Sequence, residues 1–355
     1  MKHMTLSEAL KAIKPPCEES ILGATKRFSQ IAAPLGALGL LQDAVIQLAG
    51  AQGKVIPEID RRAVVVFCAD NGVIAQGVTQ CGQDVTATVT ENLSKDMTSV
   101  CLMAKHEDVE VIPVDIGVAV PVGGKKLINR KIAPGTKDMT LEPAMTREQA
   151  VRALEVGIEM AEACAARGVQ ILCAGEMGIG NTTSSAAVTA ALLSAAPAEV
   201  TGRGAGLSSE GLVRKIHAIE RALDRAQVDP SDPVGVLSEV GGFDIAGMAG
   251  LYLGAALCGI PAVVDGVIAQ TAALVAVSLC PAARGYLLFA HKSAEPASKL
   301  LLAKMEAKPY IDAGMRLGEG TGAVAGLALL DLALAVYRGM PVFDDVAIDA
   351  YVPLT

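Results

Sequence analysis

Residues 169–193 read VQILCAGEMGIGNTTSSAAVTAALL, an apolar run followed by a glycine-rich turn and then by a stretch of small residues. The uncharged, β-branched run 169–173 predicts a buried strand, and residues 186–193 predict a helix. Asn181 stands where a helix N-cap is expected. A strand that passes through glycines into a helix points free backbone N–H groups toward an anion. This segment therefore predicts one unit of an α/β fold with an anion site at its turn.

Four further apolar runs repeat this pattern along the chain, at residues 63–68, 109–114, 261–264 and 286–289. Stretches with helical periodicity separate the runs. The clearest of these begins at a capping box formed by Thr146 and Gln149 and closes at Gly168. Strand, helix and strand in this order predict a parallel sheet with helices on its faces.

Both ends of the chain are predicted to be helical. Helices are expected near residues 38–48 and 322–337, and Thr5 with Glu8 predicts a capping box close to the N-terminus. We expect the two ends to pack together as a small helical domain. The predicted division is a large α/β domain of residues 60–318 and a small helical domain of residues 1–59 and 319–355.

The composition argues against several kinds of partner. Aromatic residues make up only 3% of the chain and the formal charge is -8, so the basic surface and stacking side chains of a nucleic-acid binder are missing. The eight cysteines form no C-x-x-C motif and the four histidines no i, i+4 pair, so neither a metal nor another cofactor is expected. Cysteines within apolar runs, and an N-terminus without a signal-like segment, predict a cytoplasmic protein.

Two long uncharged runs raise the alternative of a membrane hairpin. They span residues 245–264 and 266–283. Asp265 separates the runs, Pro261 interrupts the first, and no Lys/Arg cluster flanks them. Buried helices and strands rich in Gly and Ala explain the same residues, and we expect no membrane span.

Polar residues follow each of the five predicted strands. In open α/β sheets ligands bind at the carboxyl ends of the strands, so these residues predict a shared site. A chance scatter is the alternative, because every strand must end in something polar. The residues are Asp70-Asn71-Gly72, Asp115, Gly175-Glu176, Asp265-Gly266 and His291-Lys292-Ser293.

Three glycine clusters carry the chemistry. The turn 175–183 lacks the lysine of a triphosphate-binding loop, because Asn181 stands in its place, and a single phosphate or a purely structural turn remain as interpretations. The cluster 201–206, TGRGAG, precedes a helix with Lys215. The cluster 316–322, RLGEGTG, places Glu319 between glycines, as a general base or as an acidic residue favoured by a helix dipole.

Six segments in order, spanning nearly the whole chain, resemble the nicotinate-nucleotide:dimethylbenzimidazole phosphoribosyltransferase family. The resemblance implies a Rossmann-like sheet that binds the nucleotide, a small helical domain from both termini, and a dimer. It also implies transfer of ribose 5-phosphate from nicotinate mononucleotide to an aromatic base, which activates the lower ligand of a cobamide. The segments are CADNGV, GEMGIGNTT, VGGFDIAGMAG, VDGV, HKSAEP and RLGEGTG.

The resemblance assigns roles to single residues. Glu319 would be the general base, Glu176 and Gly178 would contact the nucleotide, and Gly204 and Lys215 would bind its phosphate. The ribose and nicotinate would lie against Asp244, Asp265, Ser293 and Arg316. The planar base would lie between the apolar side chains of Met177, Ile179 and Leu317.

Departures from the family pattern leave the acceptor base open. Cys81 and Val89 stand at base-facing positions that are often polar, and Asn71 replaces a frequent histidine. Dimethylbenzimidazole, another benzimidazole, a purine or a phenol is therefore expected as acceptor. The partner in the dimer is a second copy or a paralogue, and a catalytically silent paralogue is the alternative to an active enzyme.

Overall fold

The computed structural model describes residues 4–351, and its core is one six-stranded parallel sheet. The strands are β1 Arg62–Ala69, β2 Val109–Gly117, β3 Ile128–Asn129, β4 Ile171–Met177, β5 Ala262–Val264 and β6 Leu287–Phe289. Three short 3-10 helices lie at Gly72–Gln76, Pro281–Tyr286 and Phe343–Val346. The α-helices are α1 Leu6–Ala12, α2 Glu18–Gln30, α3 Leu40–Gln52, α4 Asp84–Ser94, α5 Ser99–His106, α6 Arg147–Ala166, α7 Asn181–Leu193, α8 Pro197–Val200, α9 Ser209–Ala226, α10 Pro233–Val240, α11 Phe243–Cys258, α12 Val267–Leu279, α13 Ala297–Lys304 and α14 Thr321–Gly339.

The strand order is β3-β2-β1-β4-β5-β6, and every neighbouring pair is parallel. This is the order of a Rossmann-type doubly wound sheet, in which the chain changes direction between β1 and β4. The predicted fold class is confirmed. A crevice opens at such a switch point, between the carboxyl ends of the two central strands.

The five predicted strands are present, but three local predictions are wrong. β2 continues to Gly117, so Asp115 lies inside the strand and not after it. β4 continues to Met177, so Gly175 and Glu176 lie inside the strand and not after it. The N-cap of α7 is Gly180, with φ +98°, and not Asn181, whose side chain turns to buried carboxylates instead. β3 was not predicted, because two residues carry no periodicity.

The two faces of the sheet are covered by different helices. Along β1, Ala63, Val65 and Phe67 pack into a core shared with α6 and α11. The intervening residues Val64 and Val66 pack into a second core with α3, α5 and α14. This alternation follows from the two-residue period of a strand buried on both faces.

The helices from the two ends of the chain pack against each other, as expected. The rings of Phe28 and Tyr337 lie 4.6 Å apart, and the Tyr337 hydroxyl donates to the Val55 carbonyl at 2.7 Å. The predicted capping box of Thr5 and Glu8 is present at α1. α3 and α14 also share their core with one face of the sheet. The division into two domains stays a prediction, and residues 1–3 and 352–355 of the small domain lie outside the described residues.

The membrane hairpin considered for residues 245–283 is not formed. α11 and α12 have 16 and 13 residues, and β5 lies between them inside the sheet. Among residues 4–351 only α14 is long and apolar enough to cross a bilayer, and half of that stretch is buried within the protein. Core helices of globular proteins share this length and composition.

Close packing of α6 on α11 depends on glycines. A Cβ added at Gly250 would overlap the carbonyl oxygen of Leu154, and one added at Gly157 would overlap the carbonyl oxygen of Gly247. The two backbones therefore touch without intervening side chains. Since α11 also carries Asp244 in its first turn, this contact fixes where that carboxylate lies.

Replacing Gly250 with alanine is expected to lower the free energy of unfolding by about 1–3 kcal/mol, because the methyl group has no space and the helices must separate. Urea unfolding measures the loss. Gly339→Ala is the matched control, since an added Cβ there meets no atom within 4 Å and alanine favours the helix. Equal stability of the two variants would contradict the packing argument.

Candidate active site

The switch point of the sheet gathers buried polar side chains. Asp70 and Asn71 follow β1, Glu176 lies near the end of β4, and Asp244 approaches from the first turn of α11. All four are buried. Of the polar residues predicted to share a site, Asp70, Asn71 and Glu176 therefore lie in one cluster, which Asp244 of α11 joins.

Next to this cluster lies a cavity, which Glu176 also lines. Most of the predicted site residues line the same cavity. The nine predicted residues that line it are Glu176, Met177, Gly178, Ile179, Gly204, Asp265, Ser293, Arg316 and Leu317. Lys215 and Asp244 are fully buried and do not line it. Cys81 lines a second, adjoining cavity that shares Gly178 and Ile179 with the first. Val89 is half-buried on α4, and neither it nor Glu319 lines either cavity.

One amide joins two of the buried carboxylates. The Nδ2 atom of Asn181 donates to Glu176 Oε2 and, at 2.9 Å, to Asp244 Oδ2. Burial raises the pKa of Asp244 to about 6. Burial, together with the nearby charge of Asp244, raises the pKa of Glu176 well above its usual range. Burial therefore favours the protonated form of Glu176, and a protonated carboxyl donates as well as accepts hydrogen bonds.

Asp265 forms a second buried centre at the end of β5. Its carboxylate accepts backbone N–H groups from Gly320 at 3.1 Å, Gly322 at 2.7 Å and Ala323 at 3.2 Å, which belong to the start of α14. His291 Nε2 lies 3.2 Å from Asp265 Oδ1. Burial opposes protonation of His291, but the hydrogen bond and charge of Asp265 outweigh it and raise the pKa of the imidazole.

The turn that carries Glu319 has an unusual backbone. Gly318, Glu319 and Gly320 have φ values of +87°, +62° and +92°. A left-handed φ costs little for glycine but is uncommon for glutamate, so the surrounding contacts must hold it. Gly175 on β4 makes room, since a Cβ there would overlap the Glu319 carbonyl oxygen. The turn thus rests on the backbone of the central strand.

The carboxylate of Glu319 binds the N-terminus of another helix. Its Oε2 accepts the backbone N–H of Val100, in the first turn of α5, at 3.0 Å. A helix N-terminus has unpaired backbone donors, and the Glu319 carboxylate satisfies one of them in α5. Of the two interpretations of Glu319 from the sequence, the helix-dipole contact exists, but with α5 and not with the helix that Glu319 precedes.

Lys215 lies beneath the cavity and is fully buried. Its Nζ donates to Thr182 Oγ1 at 2.7 Å and to the Gly202 carbonyl at 3.2 Å. Burial lowers the pKa of Lys215 to about 8, while the charge of Glu295 acts in the opposite direction. The neighbouring N–H of Gly204 donates to Glu295 Oε1 at 3.1 Å. Lys215 and Gly204, paired by the family resemblance, both lie next to Thr182, since a Cβ added at Gly204 would approach the Thr182 hydroxyl to 2.9 Å.

Sequence reasoning did not assign a binding role to several polar residues of this site, although His291 was among the predicted strand-end residues. Thr182, His291 and Glu295 line the cavity, and Asn181 joins the carboxylates below it. His291 and Glu295 stood within a recognised segment, but nothing local indicated their contacts. Those contacts join segments 26 and 91 residues apart and depend on the folded sheet.

Comparisons with known proteins indicate one enzyme family over nearly the whole chain. Residues 13–348 match a family model described as a phosphoribosyltransferase. The chain is 43% identical to nicotinate-nucleotide–dimethylbenzimidazole phosphoribosyltransferase of Acetivibrio thermocellus, over 98% of this chain and 99% of that protein. It is 42% identical to the protein of the same name from Ruminiclostridium cellulolyticum, over 99% and 100%. The crystal structure of CobT from Thermus thermophilus superposes with a TM-score of 0.90 at 40% identity, covering 94% and 100% of the two chains.

Because the pKa of Asp244 is raised, the Asp244→Asn substitution is expected to increase the stability of the folded protein in a pH-dependent way. In the unfolded chain this carboxyl ionises near its ordinary pKa of 3.8, whereas the folded protein keeps the proton until about 6. The wild-type protein therefore loses stability as pH rises through that window, and asparagine removes the loss. The variant is expected to be more stable above pH 6 by on the order of 2–3 kcal/mol, with no gain near the ordinary pKa of the carboxyl.

Urea unfolding across this pH range measures the effect. Asp229→Asn is the control, because Asp229 is exposed and hydrogen bonds from Ser231 lower its pKa. That variant is expected to show no gain at high pH. An Asp244→Asn protein less stable than wild type at pH 8 would contradict the assignment of a burial cost.

Proposed function

Because the chain belongs to the nicotinate-nucleotide–dimethylbenzimidazole phosphoribosyltransferase family, we propose that it moves ribose 5-phosphate from nicotinate mononucleotide to an aromatic base. The products are nicotinate and an α-linked ribotide for the nucleotide loop of a cobamide. The observation that carries the proposal is the cavity at the switch point. Its glycine turns, buried lysine and carboxylates fit a nucleotide monophosphate, within a chain that matches such enzymes from end to end.

The donor's phosphate is proposed to bind at the Lys215 subsite. Lys215 supplies a cation, Gly204 a backbone N–H, and the first turn of α7 the positive end of a helix dipole. Arg316 is exposed at the cavity wall and forms no ion pair within residues 4–351. Its guanidinium is therefore suited to the carboxylate of the nicotinate ring.

The remaining donor contacts are proposed from the same geometry. Glu176, Gly178 and Ser293, which all line the cavity, would face the ribose. Asp244 and Asp265 would act through their neighbours: Asp244 through Asn181, and Asp265 through the turn of Glu319. Asp244 and Asp265 are therefore proposed to position these neighbours and not to contact the donor directly.

Bond exchange at the ribose needs a base and no acid. The bond from the ribose C1′ to the pyridinium nitrogen breaks, and nicotinate leaves with that electron pair. A nitrogen or oxygen of the acceptor forms the new bond from the opposite face, and its proton passes to Glu319. Only Oε2 of Glu319 is hydrogen bonded within the described part of the chain, so Oε1 is proposed to take the proton.

The acceptor is proposed to lie in an apolar slot. Met177, Ile179 and Leu317 supply its walls on the donor side, and Leu317 is 56% exposed at the mouth. Cys81 adds a weakly polar thiol from the adjoining cavity. These apolar walls favour an alkylated benzimidazole, another benzimidazole or a phenol over a purine. Thr79, Gln80 and Arg203 of the adjoining cavity supply polar contacts to the acceptor. Val89 stays a proposed contact on α4.

The dimer partner and the cellular location are also proposals. Leu22 on α2 and Leu332 on α14 are 62% and 64% exposed, and such surfaces suit a second copy of this chain or a paralogue. A cytoplasmic enzyme is proposed. The alternatives of a silent paralogue and of an integral membrane protein find no support.

Nicotinate release tests the reaction directly. The purified chain is incubated with nicotinate mononucleotide and, in separate reactions, with 5,6-dimethylbenzimidazole, other benzimidazoles, adenine and phenols. Release with at least one acceptor is expected, fastest with apolar ones. The absence of nicotinate with every acceptor would overturn the proposal.

Glu319→Gln is expected to lower kcat by roughly two orders of magnitude or more, with little change in the KM for nicotinate mononucleotide. The glutamine oxygen can still accept the Val100 N–H, so the fold is retained while the proton acceptor is lost. Steady-state kinetics measure the change. Glu210→Gln, an exposed first-turn residue of α9, is the control and should keep full activity. Wild-type rates in the Glu319 variant would remove it from the mechanism.

A further inference from the structure

A carboxylate already occupies the subsite proposed for the donor's phosphate. Glu295 Oε1 accepts the N–H of Gly204 at 3.1 Å. Its second oxygen lies against Gly202, where an added Cβ would overlap it. The Gly202 carbonyl in turn accepts from Lys215. The loop 202–204 thus donates a backbone N–H to a carboxylate of the protein itself, while its Gly202 carbonyl holds the buried ammonium group next to that carboxylate's binding place.

Lys215 requires negative charge nearby. Its two hydrogen-bond acceptors, the Thr182 hydroxyl and the Gly202 carbonyl, are both neutral. A fully buried ammonium group without a counter-charge is costly, because it has left water without compensation. Glu295 is the carboxylate whose charge acts on Lys215. It therefore offsets part of this cost across the Gly202 loop, without a direct ion pair to Lys215 among residues 4–351.

Thr182 connects the buried lysine with the cavity. An ammonium group only donates, so the Thr182 oxygen must accept from Lys215. The hydroxyl proton of Thr182 then remains to be donated, and this side chain lines the cavity. The subsite thus offers a hydroxyl and a backbone N–H to one anion directly, and the charge of Lys215 acts on that anion through Thr182.

We propose that Glu295 is a built-in substitute for the substrate's phosphate, and that nicotinate mononucleotide binds by displacing this carboxylate from Gly204. The inference rests on the function proposed above, because it takes Gly204 and Lys215 as the phosphate subsite. Phosphate and carboxylate accept the same hydrogen bonds, but two anions on one set of donors repel each other. Glu295 is only half-buried, between β6 and α13, and its side chain has solvent on one side.

The exchange gives selectivity for the phosphate. A nucleoside that lacks the phosphate offers nothing to compensate Lys215, so it leaves the carboxylate in place. A nucleotide replaces one anion by another that carries more charge and more acceptor oxygens. The subsite therefore discriminates by charge before any contact with the ring.

Glu295→Gln tests the exchange through binding of inorganic phosphate, measured by isothermal titration calorimetry without any turnover. The variant is expected to bind phosphate roughly tenfold tighter than wild type, since no anion has to leave. Its Tm without phosphate is expected to fall, because Lys215 loses its counter-charge, and phosphate should raise that Tm more than it raises the wild-type value. Glu199→Gln, an exposed glutamate on the nearby α8, is the control for simple loss of surface charge.

Two further variants keep the test decisive if Glu295→Gln folds poorly. Glu295→Asp retains the charge but shortens the side chain, so it should also bind phosphate more tightly than wild type. Lys215→Met should abolish phosphate binding and, in that background, the Glu295 change should no longer lower Tm. Phosphate binding that is unchanged or weaker in both Glu295 variants would overturn the inference. Tighter phosphate binding without nicotinate release would support it and overturn the proposed function alone.

Discussion

The Asp265 carboxylate ties the end of β5 to the first turn of α14. It accepts three backbone N–H groups there, from Gly320, Gly322 and Ala323, and also contacts His291. A buried carboxylate is favourable in this position because a helix N-terminus offers unpaired donors and a positive dipole. Glu319 immediately precedes that turn, so the same interaction fixes the proposed base relative to the sheet.

The rest of the site is built on buried groups that are individually unfavourable. Glu176, Asp244 and Lys215 all have pKa values that burial shifts toward the neutral form. Such costs require support from elsewhere in the protein. Cores on both faces of the sheet, and the tight contact of α6 with α11, provide it. The buried ionisable groups of the site therefore depend on the close packing of the core.

Prediction from the sequence succeeded where structure depends on interactions between neighbouring residues. Apolar runs predicted five strands, and the capping box at Thr146 predicted the start of α6, because periodicity and capping depend on neighbouring residues. β3 was not predicted, because a two-residue strand has no periodicity. The site was only partly predictable: glycine clusters and resemblance indicated Glu176, Lys215 and Glu319, and most of the predicted residues do line one cavity. The contact of Glu319 with Val100 bridges 219 residues, which only the folded topology decides.

The two cavities are built from different kinds of structure. The donor cavity is bounded by the ends of β4 and β5 and by turns locked onto buried carboxylates. The adjoining cavity takes residues 78–81 from the connection between the first 3-10 helix and α4, outside the sheet. Connections of this kind accept substitutions and changes of length more readily than sheet ends do. On the proposed assignment of the first cavity to the donor and the adjoining one to the acceptor, acceptor choice can diverge among related proteins while the donor stays the same, and residues 78–81 are the place to begin engineering new ribotides.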